Sequence, residues 1–119
     1  MRKAIVLSCV ASSALTLVAV WSFGGAAPPS AVKLENDHVR VTEVMYAPGI
    51  PRERYIRETN QIIVFLDDCR YQRTDSATKE NTIRERKSGD VIWHNKGEDA
   101  PVLVNLGTKP YRTLVIALK

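Results

Sequence analysis

The run Gln61-Ile62-Ile63-Val64-Phe65-Leu66, stopped by Asp67-Asp68, settles the architecture before any other part of the chain. It is too short for a stable helix, rich in β-branched side chains and apolar at odd and even positions alike. That pattern predicts a strand buried on both faces, between a barrel interior and a covering layer. Downstream, Cys69–Thr74 leads into a polar stretch over 75–81, and 82–87 returns with alternating polarity, which predicts a hairpin with a loose tip. Ser88-Gly89-Asp90 turns into Val91-Ile92-Trp93, Asn95-Lys96-Gly97 turns again before 102–106, and Tyr111–Leu118 closes the chain as a further strand. Upstream, Val39 and Val41 alternate with Arg40 and Thr42 before Val44-Met45-Tyr46, and Pro48-Gly49 ends that strand. Leu34 is a short lead-in and Glu35-Asn36-Asp37 a turn. No burst keeps a helical period for three turns, so the chain is predicted to be all-β, with about seven or eight short strands in one sandwich or jelly-roll barrel.

The whole chain has 119 residues, 45% hydrophobic and 25% charged, with two Cys, six Gly and six Pro. These values exclude a disordered chain, a disulfide scaffold and a collagen-like repeat. Arg2 and Lys3 precede an apolar run over 4–20, and Gly24-Gly25-Ala26-Ala27 leads to Pro28-Pro29-Ser30. This is the layout of a secretory signal peptide over 1–27, cut after Ala26 or Ala27, and it predicts an exported protein, periplasmic or secreted. The alternative is an uncleaved anchor over 4–23, long enough to span the hydrocarbon core and the only route by which a membrane would become a partner. Cleavage leaves 15 Lys and Arg against 13 Asp and Glu, lowering the net charge from +4 to +2. A balance that small does not describe a nucleic-acid surface. Cleavage also leaves Cys69 as a lone thiol, so stability rests on the core of one domain over 28–119.

Pro48-Gly49, the 61–68 run, Ser88-Gly89-Asp90-Val91-Ile92-Trp93, Gly97 and Val104-Asn105-Leu106-Gly107-Thr108-Lys109-Pro110-Tyr111-Arg112 together resemble a small single-domain cupin over residues 32–119. The resemblance implies a jelly-roll β-barrel, a homodimer, and a lumen in which three His and one Glu hold a divalent metal for dioxygenase or isomerase chemistry. Imidazole and carboxylate suit borderline cations, and alternate strand positions aim two ligands into one lumen. In this chain Gln61 stands at the Glu position and Pro101 at the last His position. The paired His positions fall on Arg54 and Ile56, on Tyr55 and Arg57, or on Ile56 and Glu58, and no His occurs between Val39 and Trp93. Gln is a weak neutral ligand and Pro has no donor atom in its side chain. The expectation is therefore a degenerate metal site with no metal and no cofactor.

A metal-free barrel is expected to serve as a small-ligand binding or structural module. Guanidinium groups are natural receptors for carboxylate or phosphate, so a small anionic ligand would be met by Arg54, Tyr55, Arg57, Glu58, Gln61 and Asn105. The alternative is an enzyme acting on a small anionic substrate, with the arginines, Tyr55 and Gln61 positioning it and Glu58 or Glu53 as the acid or base. Against both stands the plainer expectation that Arg52, Arg54 and Arg57 form surface pairs with Glu53 and Glu58 in a solvated loop. Gln61, Ile63 and Phe65 share one face and Pro101, Leu103 and Asn105 another; the lumen between them is expected to be filled, with an open cavity as the alternative. His94 is expected at the surface or in a turn, His38 exposed, Cys69 buried, and Trp93 and Tyr71 in core or edge packing. No nucleophile triad and no phosphate-cradling glycine loop is found.

Overall fold

A computed structural model describes residues 28–119, and the expected signal peptide or anchor over 1–27 lies outside the described residues. The described chain is all-β, without a helix, in ten strands: β1 Ser30–Glu35, β2 Val39–Tyr46, β3 Tyr55–Ile56, β4 Gln61–Phe65, β5 Cys69–Thr74, β6 Asn81–Arg86, β7 Val91–His94, β8 Asp99–Ala100, β9 Val102–Asn105 and β10 Tyr111–Leu118. They form a five-stranded sheet in the order β1-β2-β10-β4-β7, a three-stranded sheet β6-β5-β9 and a two-stranded ladder β3-β8. Every strand pairing is antiparallel. The two larger sheets face each other as a jelly roll.

Strands and turns follow from local chemistry. β10, apolar throughout from Leu114 to Leu118, pairs β2 on one side and β4 on the other, so its backbone is satisfied along both edges. The 35–37 turn forms as predicted, with Asn36 Oδ1 accepting from the backbone N–H groups of His38 (2.7 Å) and Val39 (3.0 Å). The 75–81 tip is not loose: Asp75 Oδ2 accepts from Ala77 N (3.0 Å), Thr78 N (2.8 Å) and Thr78 Oγ1 (3.1 Å). Ten strands replace the expected seven or eight because β3 and β8 are two-residue ladders, below the length at which alternation can be seen. Where only Leu34 was expected to lead in, β1 is six residues long and pairs β2 across a bulge between Val32 and Leu34.

Alternation along β4 turns Gln61, Ile63 and Phe65 inward and Ile62 and Val64 outward. The inner cluster is aromatic: Phe65, Tyr71 and Tyr111 are buried, with Tyr46, Ile63, Cys69, Ile92 and Leu103 packed against them. Tyr46 and Tyr111 stack at 4.9 Å between centroids within the large sheet, and Tyr71 of the small sheet stacks at 6.2 Å on both Phe65 and Tyr111, joining the two sheets. The covering layer expected over β4 is absent among the described residues. Its outer neighbours Trp93 and Val91, paired with Ile62 and Val64, are 49% and 61% exposed. Trp93 is thus a surface residue, its Nε1 donating to Asn95 Oδ1 at 2.8 Å, whereas Tyr71 is core as predicted.

Candidate functional site

A cavity of about 190 Å³ lies between the sheets, so the lumen is open where a filled one was expected. Its floor is the aromatic cluster around Phe65, Tyr71 and Tyr111, at the Phe65 end of β4. Gln61 lies at the other end of that strand, opposite His94 of β7.

Residues 51–58 are held against the 97–103 segment by backbone bonds. Arg52 exchanges hydrogen bonds with Leu103 (2.8 and 3.2 Å), Arg57 N donates to Glu98 O (3.0 Å), and Gly97 N donates to Arg57 O (2.8 Å). These anchors turn the side chains of Arg52 and Arg57 into the lumen, where they are 7% and 4% exposed, overturning the solvated-loop expectation for both. Arg52 Nη2 donates to Pro101 O, and Arg57 Nη1 to Gln61 Oε1 at 2.9 Å and to Tyr55 OH at 3.4 Å. Tyr55 covers them from outside, its ring centroid 5.2 Å from the Arg52 guanidinium carbon and 5.8 Å from that of Arg57.

Neither guanidinium has a carboxylate partner within ion-pair distance among the described residues. Arg52 Nε, Arg57 Nε and Thr113 Oγ1 are all buried without a hydrogen-bond partner, and all three residues border the cavity. Burial works against the Arg57 charge and pulls its pKa below the ordinary arginine value, with Arg52 adding to the effect. A buried charge without a counter-charge costs several kcal/mol unless something compensates it.

The remaining sequence candidates separate. Gln61 is buried and faces Arg57. Arg54 is exposed and paired with Asp99 at 2.5 Å; Glu53 and Glu58 are exposed and do not border the cavity. Asn105 is buried but consumed as a staple: its Nδ2 donates to Tyr46 O and Lys109 O, both at 2.9 Å, and its Oδ1 accepts from Gly107 N at 2.8 Å. Cys69 is half-buried, and burial pushes its thiol up to about 11, far from a reactive thiolate.

Sequence reasoning missed much of the lining, including four basic residues. Arg73, Arg84 and Arg86 enter from the small sheet, giving five arginines around the cavity against two carboxylates, Glu98 and Asp99. The signal was available, since Arg84 and Arg86 alternate on β6 and the hairpin register sets Arg84 opposite Tyr71. The fourth is His94, which lines the cavity instead of lying at the surface. Its Nδ1 is 3.1 Å from Glu98 Oε1, which also accepts from Asn95 N at 2.8 Å. Gly97, with φ of 86°, permits the tight 95–98 turn that folds Glu98 back onto the ring. Burial, then Arg57, lowers the His94 pKa and favours neutral imidazole, while Asn95 N–H lowers that of Glu98.

No family model matches the chain, and no curated protein matches it. Solved structures do. A cupin domain from Bordetella pertussis aligns over 82% of this chain and 99% of its own, with 14% identity and a TM-score of 0.69. The polyketide cyclase RemF from Streptomyces resistomycificus aligns over 83% and 70%, with 19% identity and a TM-score of 0.63. The DMSP lyase DddQ from Ruegeria pomeroyi aligns over 78% and 47%, with 14% identity and a TM-score of 0.59. The chain therefore has the cupin fold, the double-stranded β-helix jelly roll.

The residues around this lumen do not suit the divalent cation that such a fold implies. Among the described residues no three His, Cys, Asp or Glu side chains converge as a ligand set. Gln61 and Pro101, expected from the resemblance at a Glu and a His position, accept hydrogen bonds from Arg57 and Arg52. Two guanidinium charges occupy the region and would repel a cation.

Proposed function

We propose that this barrel binds a small organic anion in its lumen, without a metal, between Arg52 and Arg57. The observation that carries the reading is the pair of buried guanidinia with unpartnered Nε–H groups and no carboxylate within ion-pair distance among the described residues, both bordering one cavity. A carboxylate entering there supplies the missing charge and accepts the free N–H groups, converting a desolvation cost into charge-assisted hydrogen bonds. Thr113 Oγ1 adds a further polar contact. The aromatic and aliphatic floor sets aside an apolar region for the rest of the molecule, and a volume of about 190 Å³ favours a ligand smaller than those held in typical drug-sized sites of about 300–1,000 Å³. Enzymes and uncharacterised domains both occur on this fold, so the fold alone selects no activity.

Thermal unfolding of the purified protein against a panel of small mono- and dicarboxylates tests the reading. A binding anion at about a hundred times its Kd stabilises the native state by about 2.7 kcal/mol. Arg57→Gln is expected to weaken that anion by at least about tenfold, the effect of losing one charged hydrogen bond. A panel in which no anion raises the midpoint, or an Arg57→Gln protein that binds as well as the parent, overturns it.

A further inference from the structure

The arginines explain why an anion would sit in the lumen, but not why a histidine held by its own carboxylate faces the same space. His94 and Glu98 flank the 95–98 turn, and the β4–β7 register sets His94 directly opposite Gln61, the hydrogen-bond partner of Arg57. Glu98 is fixed by Asn95 N–H and receives His94 Nδ1 at 3.1 Å, an arrangement that keeps the ring proton on Nδ1 and leaves Nε2 as a bare acceptor. We propose that His94 is the base of a proton-transfer reaction on a small oxo acid, its carboxylate held by Arg52 and Arg57; this rests on the anion-binding reading of the same lumen.

The chemistry follows from which groups are present. Exposed Glu53 and Glu58 stand outside the cavity, so neither serves as the acid or base, and the raised Cys69 thiol is a poor nucleophile. A neutral imidazole among guanidinia is a modest base, able to deprotonate only a carbon acid whose anion is stabilised as it forms. A C–H beside a carbonyl meets that requirement. The C–H bond breaks, its electron pair becomes the C=C bond of an enolate, and the negative charge moves to the carbonyl oxygen against the Arg57 guanidinium. The proton passes to Nε2 and returns from there to the same carbon or to the oxygen. Exchange or tautomerisation results, with no oxidant, reductant or co-reactant.

The experiment is proton NMR in D2O of 2-oxobutanoate, 2-oxoglutarate and acetoacetate with the purified protein, alongside thermal unfolding with the same acids. An acid that raises the unfolding midpoint is expected to lose its C–H signal beside the carbonyl about a hundredfold faster than in buffer, and His94→Gln to abolish that loss while keeping the thermal shift. Should His94→Gln not fold, Glu98→Gln serves. The groups facing His94 are Glu98, Arg57 and Arg52, and removing the one negative charge among them lowers the imidazole pKa. Glu98→Gln is therefore expected to exchange more slowly and to reach its plateau at lower pH. Acids that bind but exchange at the buffer rate, or variants that exchange like the parent, overturn the base assignment alone. If no acid binds, the anion reading fails and takes this proposal with it.

Discussion

Arg57 shows how one side chain can carry opposite consequences for stability and for function. It is buried, hydrogen-bonded to Gln61 and without an ion-pair partner, so a protein lacking ligand bears its desolvation cost. Replacing both partners by apolar groups of similar shape removes the charge without orphaning an amide. The double variant Arg57→Met/Gln61→Leu is expected to melt no lower than the parent without ligand, and to lose the anion-induced rise, both read from unfolding curves with and without carboxylate. Arg57 and Gln61 were legible in the sequence because guanidinium and amide stood where a metal ligand set was expected. His94 was not, although on β7 it falls on the face opposite to that of Val91 and Trp93. Which face turns inward depends on the β4 register, and the aromatic space assumed for Trp93 is filled by Phe65, Tyr71 and Tyr111.

At the level of elements, the loop joining β9 to β10 depends on Asn105 more than any ligand could. Its three hydrogen bonds tie the end of β2 to the 107–109 turn and fix where Tyr111 enters the core. Asn105→Ala is expected to cost about 2–3 kcal/mol by leaving buried backbone groups unpaired, lowering the midpoint by about 10 °C or more. Carboxylate affinity per folded molecule is expected to stay unchanged, and calorimetric titration below the unfolding range checks it. The long strands were readable because five to eight residues leave a pattern, alternating in β2 and continuously apolar in β4 and most of β10. The β3–β8 ladder was not, yet these four residues help to hold the Arg52–Arg57 segment against the 97–103 segment. Their pairing is set by tertiary contact, which a single sequence does not encode locally.

Across the whole molecule, apolar side chains are divided unusually. Among the described residues no Val, Ile or Leu is fully buried; the buried hydrophobic residues are Phe65, Tyr71, Ala100 and Tyr111. Stability rests on a thin aromatic core, so ionisation weighs heavily in it. The His94 pKa lies below its ordinary 6.5, chiefly through burial, so the unfolded chain takes up this proton first as pH falls. That contribution is complete above pH 6.5 and lost below it. Asp67, held down by hydrogen bonds from Arg112, and Asp99, held down first by Ser76, contribute above their ordinary 3.8 and lose it in stronger acid. Unfolding midpoints are therefore expected to decline in two stages, and His94→Gln to remove the first, as followed by circular dichroism across the pH range.

The uncompensated guanidinium pair reaches beyond affinity. Were the proposed anion to complete the native state, a protein short of it would be opened more often and proteases would act on the opened form, so the amount that survives would follow the supply of that anion.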